Sequence, residues 1–238
     1  MNDKILIVDD ETSVLLSLKR ILSREFLIET AASGQEALRT LESSGPYAVV
    51  VSDLMMPGMT GIDLLALVKK SWPDTVRILI TGHAELDAAV RGVNQGYIYR
   101  FLMKPCPTAE LADALRAGLE QYRQGIAERE VLEQTLMGAL TVLTDILGLV
   151  HPAAFGRVGA LRRYARHMAS DLKVAESWRV EAAALLSQIG LISVPSGTLE
   201  KYYVDEPLTD REASAFASHP RVGHGLLEPI PRLRTIAA

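Results

Sequence analysis

The first half of the chain alternates two hydrophobic periods. Short apolar runs rich in Ile, Val and Leu, at Lys4–Val8, Phe26–Thr30, Ala48–Val51, Arg77–Ile80 and Tyr99–Met103, read as strands. Between them the spacing turns helical: Val14, Leu15, Leu18, Ile21 and Leu22 form one stripe, and Ile62, Leu65 and Val68 another. Strand and helix in alternation predict an open parallel sheet covered on both faces. In such sheets the ligand site lies beyond the carboxyl ends of the strands. From Thr108 the pattern is continuously helical. Leu111, Leu115, Leu119, Tyr122 and Ile126 make one stripe; after a phase slip, Leu132, Leu136, Leu140, Leu143, Leu147 and Val150 resume it. No proline interrupts Thr108–Val150, although Gly118, Gly125, Gly138 and Gly148 are points where a helix could break. The stripe suits a two-stranded interdomain coil and packing on its own domain equally well. Beyond Pro152 strand signals vanish. Val158–Leu172 and Trp178–Ile189 read as helices, followed by a polar, proline-containing loop. A further helix is expected from near Leu208, because Thr209 and Glu212 have capping-box spacing. The expected fold is α/β, a five-stranded parallel doubly wound sheet, followed by a long connector helix and an all-α domain.

Composition narrows the function classes. A length of 238 residues suits one large or two ordinary domains, and 48% hydrophobic against 23% charged residues excludes a wholly disordered chain. Lys plus Arg (25) against Asp plus Glu (29) leaves a net charge of -4, which offers no basic footprint for nucleic acid or an anionic membrane. Cys106 stands alone, so no internal disulfide forms, and no Cys/His cluster has zinc-ligand spacing. No uninterrupted apolar run reaches the ~18 residues of a membrane span; the best, Leu140–Val150, holds Asp145. The chain opens on a strand, so the expectation is no signal peptide and a cytoplasmic location.

The chemistry sits at the strand ends. The first strand runs into Asp9-Asp10 and the third into Asp53. In neighbouring parallel strands these three carboxylates converge. Their mutual repulsion calls for a hard divalent cation with oxygen ligands, Mg2+ or Mn2+. The fourth strand ends in Thr81 and the fifth in Lys104-Pro105, adding a hydroxyl and a compact ammonium suited to phosphoryl oxygens. A carboxylate nucleophile, a cation, a hydroxyl and an ammonium are the parts that accept a phosphoryl group in line. One Asp at a strand end is more often a helix cap. Five such residues at the ends of four strands are not explained by capping.

Residues 1–122 resemble the receiver domain of two-component response regulators. The matching stretches are Ile5-Leu6-Ile7-Val8-Asp9-Asp10-Glu11, Ser52-Asp53-Leu54-Met55-Met56-Pro57-Gly58-Met59-Thr60-Gly61, Ile80-Thr81-Gly82-His83-Ala84 and Phe101-Leu102-Met103-Lys104-Pro105. The resemblance implies that Asp53 is the phosphoacceptor, with a cognate sensor histidine kinase or phosphotransfer protein as donor. It further implies that Asp10 and Asp53 ligate Mg2+ directly, Asp9 through water, and Met55 through its backbone carbonyl. Thr81 and Lys104 would hold the phosphoryl group. Phe101 matches the aromatic that changes rotamer with Thr81, though a plain core aromatic is an equal reading. Met55 and His83 occupy the positions that tune phosphoryl lifetime in the family.

The helical half resembles the HD-GYP phosphodiesterases, metal-dependent hydrolases of cyclic dinucleotides. The stretches are Arg157-Val158, Tyr164-Ala165, Ala182–Ile192, Val194-Pro195, Leu199-Glu200-Lys201, Pro207-Leu208-Thr209 and His219-Pro220-Arg221-Val222-Gly223. Ser187-Gln188 stand where the family places His-Asp, and Leu191 where it places Lys. No His occurs at Ala154–Arg157, and His151 falls too early. Only His219 matches a family ligand, and one imidazole cannot assemble a dinuclear site. Ala238 precedes the family's later ligands, so the domain is expected to be incomplete against the family. His219, His167 and His224 read as structural, and Ser187 has no visible relay partners.

The expected organisation is a receiver at 1–122, a connector helix at 123–150 and a degenerate HD-type output domain at 151–238. The expected function is a phosphorylation-dependent response regulator. Its output would be a catalytically inactive domain, without metal, acting by contacts with a downstream protein. A homodimer through the connector is a further expectation. An active phosphodiesterase lacks its metal ligands. A DNA-binding regulator is opposed by the acidic balance and the lack of a helix-turn-helix, with Arg162, Arg163 and Arg166 reading as a solvated helix face.

Overall fold

The structure is a computed structural model and describes residues 3–82 and 95–237. It divides into two compact units, Met1–Arg129 and Glu130–Ala238.

In the first unit β1 (Lys4–Val8), β2 (Leu27–Ala31), β3 (Val49–Asp53), β4 (Val76–Thr81) and β5 (Arg100–Met103) form one sheet. Its order is β2-β1-β3-β4-β5, with every pairing parallel. Side-chain alternation divides each strand between two cores. Ile5, Ile7, Val51 and Ile78 pack with Leu15 and Leu22 of α1 (Thr12–Leu22) and with Leu111 and Leu115 of α4 (Thr108–Val150). Leu6, Val8, Val50 and Leu79 pack with Leu41 of α2 (Gly34–Ser44) and with Leu64, Leu65 and Val68 of α3 (Gly61–Ser71). A sheet buried on both faces requires apolar residues at consecutive positions, which is why its strands read as continuous runs. Helix starts are set locally: the hydroxyls of Ser33 and Thr60 accept from the backbone N–H groups of Glu36 and Asp63.

α4 runs unbroken through its four glycines. By length and composition it is apolar enough to cross a membrane, which counting uninterrupted apolar residues did not register. Its second half also departs from the expected stripe. Leu136, Leu140 and Leu147 pack into the helical core, whereas Leu132, Leu143 and Val150 are exposed. The inward face follows a strict helical period and takes in Thr144, whose hydroxyl donates to the Leu140 carbonyl at 2.9 Å.

The second unit continues with α5 (Pro152–Phe155), α6 (Val158–Asp171), α7 (Ser177–Leu186), a 3-10 turn (Ile189–Ser193), α8 (Ser196–Tyr203), α9 (Asp210–Ala217), α10 (His219–Leu227) and α11 (Arg234–Ala237). Two expectations are corrected. The helix expected to reach Ile189 ends at Leu186 and tightens into the 3-10 turn. The expected loop contains α8, because Pro195 stands at its N-cap in an extended conformation and opens the helix instead of breaking it. Thr198 and Leu199 of α8 are buried. The capping box at Thr209 is present, with the Glu212 carboxylate accepting from the Thr209 N–H.

Candidate functional site

Strand register assembles the site. Val8 lies opposite Ser52, and Thr81 lies opposite Met103, so the residues that follow these strand ends share one edge of the sheet. Asp9 is 3% exposed, Asp53 7% and Thr81 0%, in a chain whose other carboxylates are mostly solvated. Lys104 Nζ lies 2.7 Å from Asp53 Oδ1 and 3.6 Å from Asp9 Oδ2, so one ammonium bridges both buried carboxylates. Asp9 Oδ1 accepts from the Glu11 N–H at 2.8 Å, and the Lys104 N–H donates to the Thr81 carbonyl at 2.8 Å. The Thr81 hydroxyl donates to the Gly82 carbonyl at 3.3 Å. Asp10 and Met55 are exposed beside them.

Burial pushes the Asp53 carboxyl above the ordinary aspartate value, and the nearby Asp9 charge adds to that, against the hydrogen bond and charge of Lys104. For Lys104 burial acts downward. The hydrogen bond and charges of Asp53 and Asp9 outweigh it, and the ammonium titrates above the usual lysine value. The edge thus holds a buried carboxylate pair whose charge is only partly offset, an arrangement that favours a cation or a change of protonation. Its donors are oxygens of hard character, which fits Mg2+. Among the described residues, however, no three His, Cys, Asp or Glu side chains lie grouped as a metal-holding set. The structure brings together Asp9, Asp53, Thr81 and Lys104 tightly and leaves Asp10 at the rim. Phe101 is half-buried against the α2–α3 core, opposite Leu79. His83 lies outside the described residues.

Residue spacing alone did not single out Gly61. A Cβ there would lie 2.1 Å from the Asp53 carbonyl oxygen, so the start of α3 presses on the backbone that carries the carboxylate. The signal available was a glycine directly after the helix-capping Thr60.

In the helical unit the matching positions are occupied by local bonds. The Ser187 hydroxyl donates to the Ala184 carbonyl at 2.9 Å, and the Gln188 amide donates to Ser187 Oγ at 3.4 Å. His219 Nδ1 donates to the Phe216 carbonyl at 2.6 Å, and its ring packs on Phe216. His167 Nε2 lies 3.7 Å from Asp171 Oδ2, and His224 Nε2 lies 3.8 Å from Glu228 Oε2. His151 Nε2 meets Ser196 Oγ at 3.3 Å. Arg162 and Arg166 both face Glu181, at 3.3 and 2.7 Å, so two of the three arginines in the basic stripe are ion-paired. Gly190 holds the motif together, since a Cβ on it would lie 1.9 Å from the His219 carbonyl oxygen.

The buried aspartates, threonine and lysine lie at the carboxyl edge of a doubly wound sheet, where such folds bind their ligands. Comparison with known proteins agrees. Residues 5–116 match the response regulator receiver domain and residues 141–238 match the HD domain. The chain thus joins a response regulator receiver domain to an HD domain. It is 39% identical over 137 residues to the hydrogenase transcriptional regulatory protein HoxA of Cupriavidus necator, covering 56% of this chain and 28% of that protein. A crystal structure described as adenylate cyclase from Rhodopirellula baltica is 39% identical, with TM-score 0.55, covering 56% of this chain and 98% of that one. The receiver domain of an HD domain-containing protein from Pseudomonas fluorescens is 35% identical, with TM-score 0.49, covering 52% of this chain and 99% of that one. The matches span half or less of the length of the curated relatives. Receiver domains generally use Mg2+ and interact with sensor kinases or phosphotransfer proteins.

Proposed function

We propose that this chain accepts a phosphoryl group on Asp53 from a sensor histidine kinase or phosphotransfer protein and signals through an HD domain that does not hydrolyse cyclic dinucleotides. The observation that carries the first part is the single ammonium of Lys104 bridging Asp53 and Asp9 beside Thr81. When bound, Mg2+ supplies charge neutralisation at the acceptor and orients the phosphoryl oxygens. Asp10, Asp53 and the Met55 carbonyl would hold it directly, and Asp9 through water. Asp53 contributes the attacking oxygen. Lys104 then exchanges one anionic partner for another, a phosphoryl oxygen in place of a carboxylate, and the Thr81 hydroxyl turns from the Gly82 carbonyl to a second phosphoryl oxygen.

Phosphorylation adds about -1.5 to -2 charge at this edge. It shifts conformation only through contacts that differ between the two states. Thr81 and Lys104 are such contacts, and Phe101, three residues before Lys104, is the side chain placed to follow them. The functional division is a receiver at 1–122 and a connector at 123–150 whose second half, from Glu130, packs with the output domain that continues from 151. α4 joins them covalently: Leu111, Leu115 and Leu119 belong to the receiver core and Leu140 to the helical core.

The reading of the output rests on its ligand positions. Ser187, Gln188 and Leu191 offer no metal-binding imidazole or carboxylate, and His219 spends Nδ1 on a backbone carbonyl. What the unit retains is the hydrophobic frame, which suits protein contacts.

The test has two arms on the full chain. A small phosphodonor with Mg2+ labels the wild type and leaves Asp53→Asn unlabelled; equal labelling of both would sink the acceptor assignment. Cyclic dinucleotide with added Mn2+ or Fe2+ is returned intact. Measurable turnover would overturn the silent output.

A further inference from the structure

The apolar run of β3, Val49-Val50-Val51, gives way one residue before Asp53 to a hydroxyl, Ser52. Ser52 is fully buried, and its register partners, Val8 of β1 and Leu79 of β4, are both aliphatic. A hydroxyl taken out of water costs free energy unless it is hydrogen-bonded. Here the bond goes to the backbone of the next residue: the Ser52 hydroxyl donates to the Asp53 carbonyl at 2.8 Å. The peptide plane that carries this carbonyl also carries the Leu54 N–H, which donates to the Ile80 carbonyl at 2.9 Å. With both polar groups bonded, the plane resists rotation about the line joining Asp53 to Leu54. The next plane is held through its carbonyl, because Leu54 C=O accepts from the Gly61 N–H at 2.9 Å. Three hydrogen bonds thus set the course of the chain from Asp53 to Met55, and one of the three comes from a side chain.

We propose that Ser52 is a positioning residue of the acceptor site. By anchoring the Asp53 carbonyl, it holds the Asp53 carboxylate and the Met55 carbonyl in the mutual placement needed for Mg2+ ligation. The inference rests on the reading of Asp53 and Met55 as ligands. These two groups hang from opposite sides of the pinned plane, so rotation of that plane separates them. Mg2+ sites tolerate little such displacement, because the small cation demands near-ideal ligand geometry. Ser52 is bonded to the backbone and acts through it, unlike Thr81, whose hydroxyl stands at the strand end itself. Gly61 supports the same carbonyl from the other side, too close to admit a Cβ. Space at this point is therefore tight, and a small side chain that carries a donor fits it.

The experiment is calorimetric titration of the full chain with Mg2+, without phosphodonor, on wild type, Ser52→Ala and Ser52→Thr. Loss of one hydrogen bond of this kind corresponds to about two- to tenfold in an equilibrium constant, and Ser52→Ala is expected to bind Mg2+ more weakly by that factor. The Mg2+ concentration for half-maximal labelling by a small phosphodonor should rise in parallel. Ser52→Thr keeps the hydroxyl in a residue suited to strands and should bind Mg2+ as wild type does. Far-UV circular dichroism and urea unfolding accompany each titration. Ser52→Cys, close in size with a weak donor, carries the same comparison should Ser52→Ala not fold. A hydroxyl that only satisfied itself would shift the urea midpoint and leave Mg2+ affinity at the wild-type value; that result overturns the proposal. A loss in Ser52→Ala that Ser52→Thr does not restore overturns it too, since it traces to packing. Failure of the acceptor reading looks different: wild type then binds Mg2+ but takes no label on Asp53, and the binding comparison still decides the role of Ser52.

Discussion

Replacing Lys104 by Met removes the bridging ammonium while keeping a side chain of similar length. Two carboxylates, 3% and 7% exposed, then face each other with no cation between them. At an effective dielectric of about 20, the attraction at 2.7 Å is about 6 kcal/mol and that at 3.6 Å about 4.6 kcal/mol, before desolvation. The Lys104 side chain is 40% exposed, so water screens much of this. A net loss of about 1–3 kcal/mol is expected at neutral pH without metal. The sign with pH follows from what is lost, an attraction to ionised carboxylates. The deficit is complete above their titration and fades as pH falls, beginning above the ordinary aspartate range because burial raises Asp53. Millimolar Mg2+ should narrow the deficit by supplying another cation. The chain has two tryptophans, Trp72 beside α3 and Trp178 in α7. Urea unfolding followed by Trp72 in a Trp178→Phe background therefore reports on the receiver. A variant as stable as wild type at pH 7 in EDTA, or a deficit independent of pH, would refute the reasoning.

Three further outcomes follow from other parts of the molecule. Gly190→Ala forces a methyl against the His219 carbonyl and should destabilise the helical unit by more than the ~1–3 kcal/mol of ordinary overpacking, read from Trp178 fluorescence; Trp72 should report an unchanged receiver. Thr209→Ala removes the α9 cap and should cost that unit about 1 kcal/mol in urea midpoint analysis. The hydrogen bonds to Lys201 and Thr209 hold the Glu212 carboxyl down at about 2. Its contribution is present above the unfolded value of 4.5 and lost as pH falls towards 2, so Glu212→Gln should flatten acid unfolding in that window.

The sheet was legible because burial on both faces forces unbroken apolar runs, and the site because strand order places Asp9, Asp53, Thr81 and Lys104 at one edge. Spacing could not show that Lys104 bridges the two buried aspartates, since that depends on side-chain reach across β1, β3 and β5. α8 was missed for a local reason: a polar, proline-containing stretch reads as a loop, whereas Pro195 stands at the N-cap and precedes the first turn. The stripe on α4 misled because leucines occur on both of its faces. Only the burial of Leu140 beside the exposure of Leu143 distinguishes the face packed on the core from the outer one.

The central claim is that Asp53 is the acceptor, and peptide mapping by tandem mass spectrometry after reaction with a phosphodonor and Mg2+ tests it most directly. A single phosphoryl group on Asp53, absent when Mg2+ is chelated, is the predicted result. Modification of Asp9 or Asp10 instead, or full occupancy of Asp53 without a divalent cation, would contradict it.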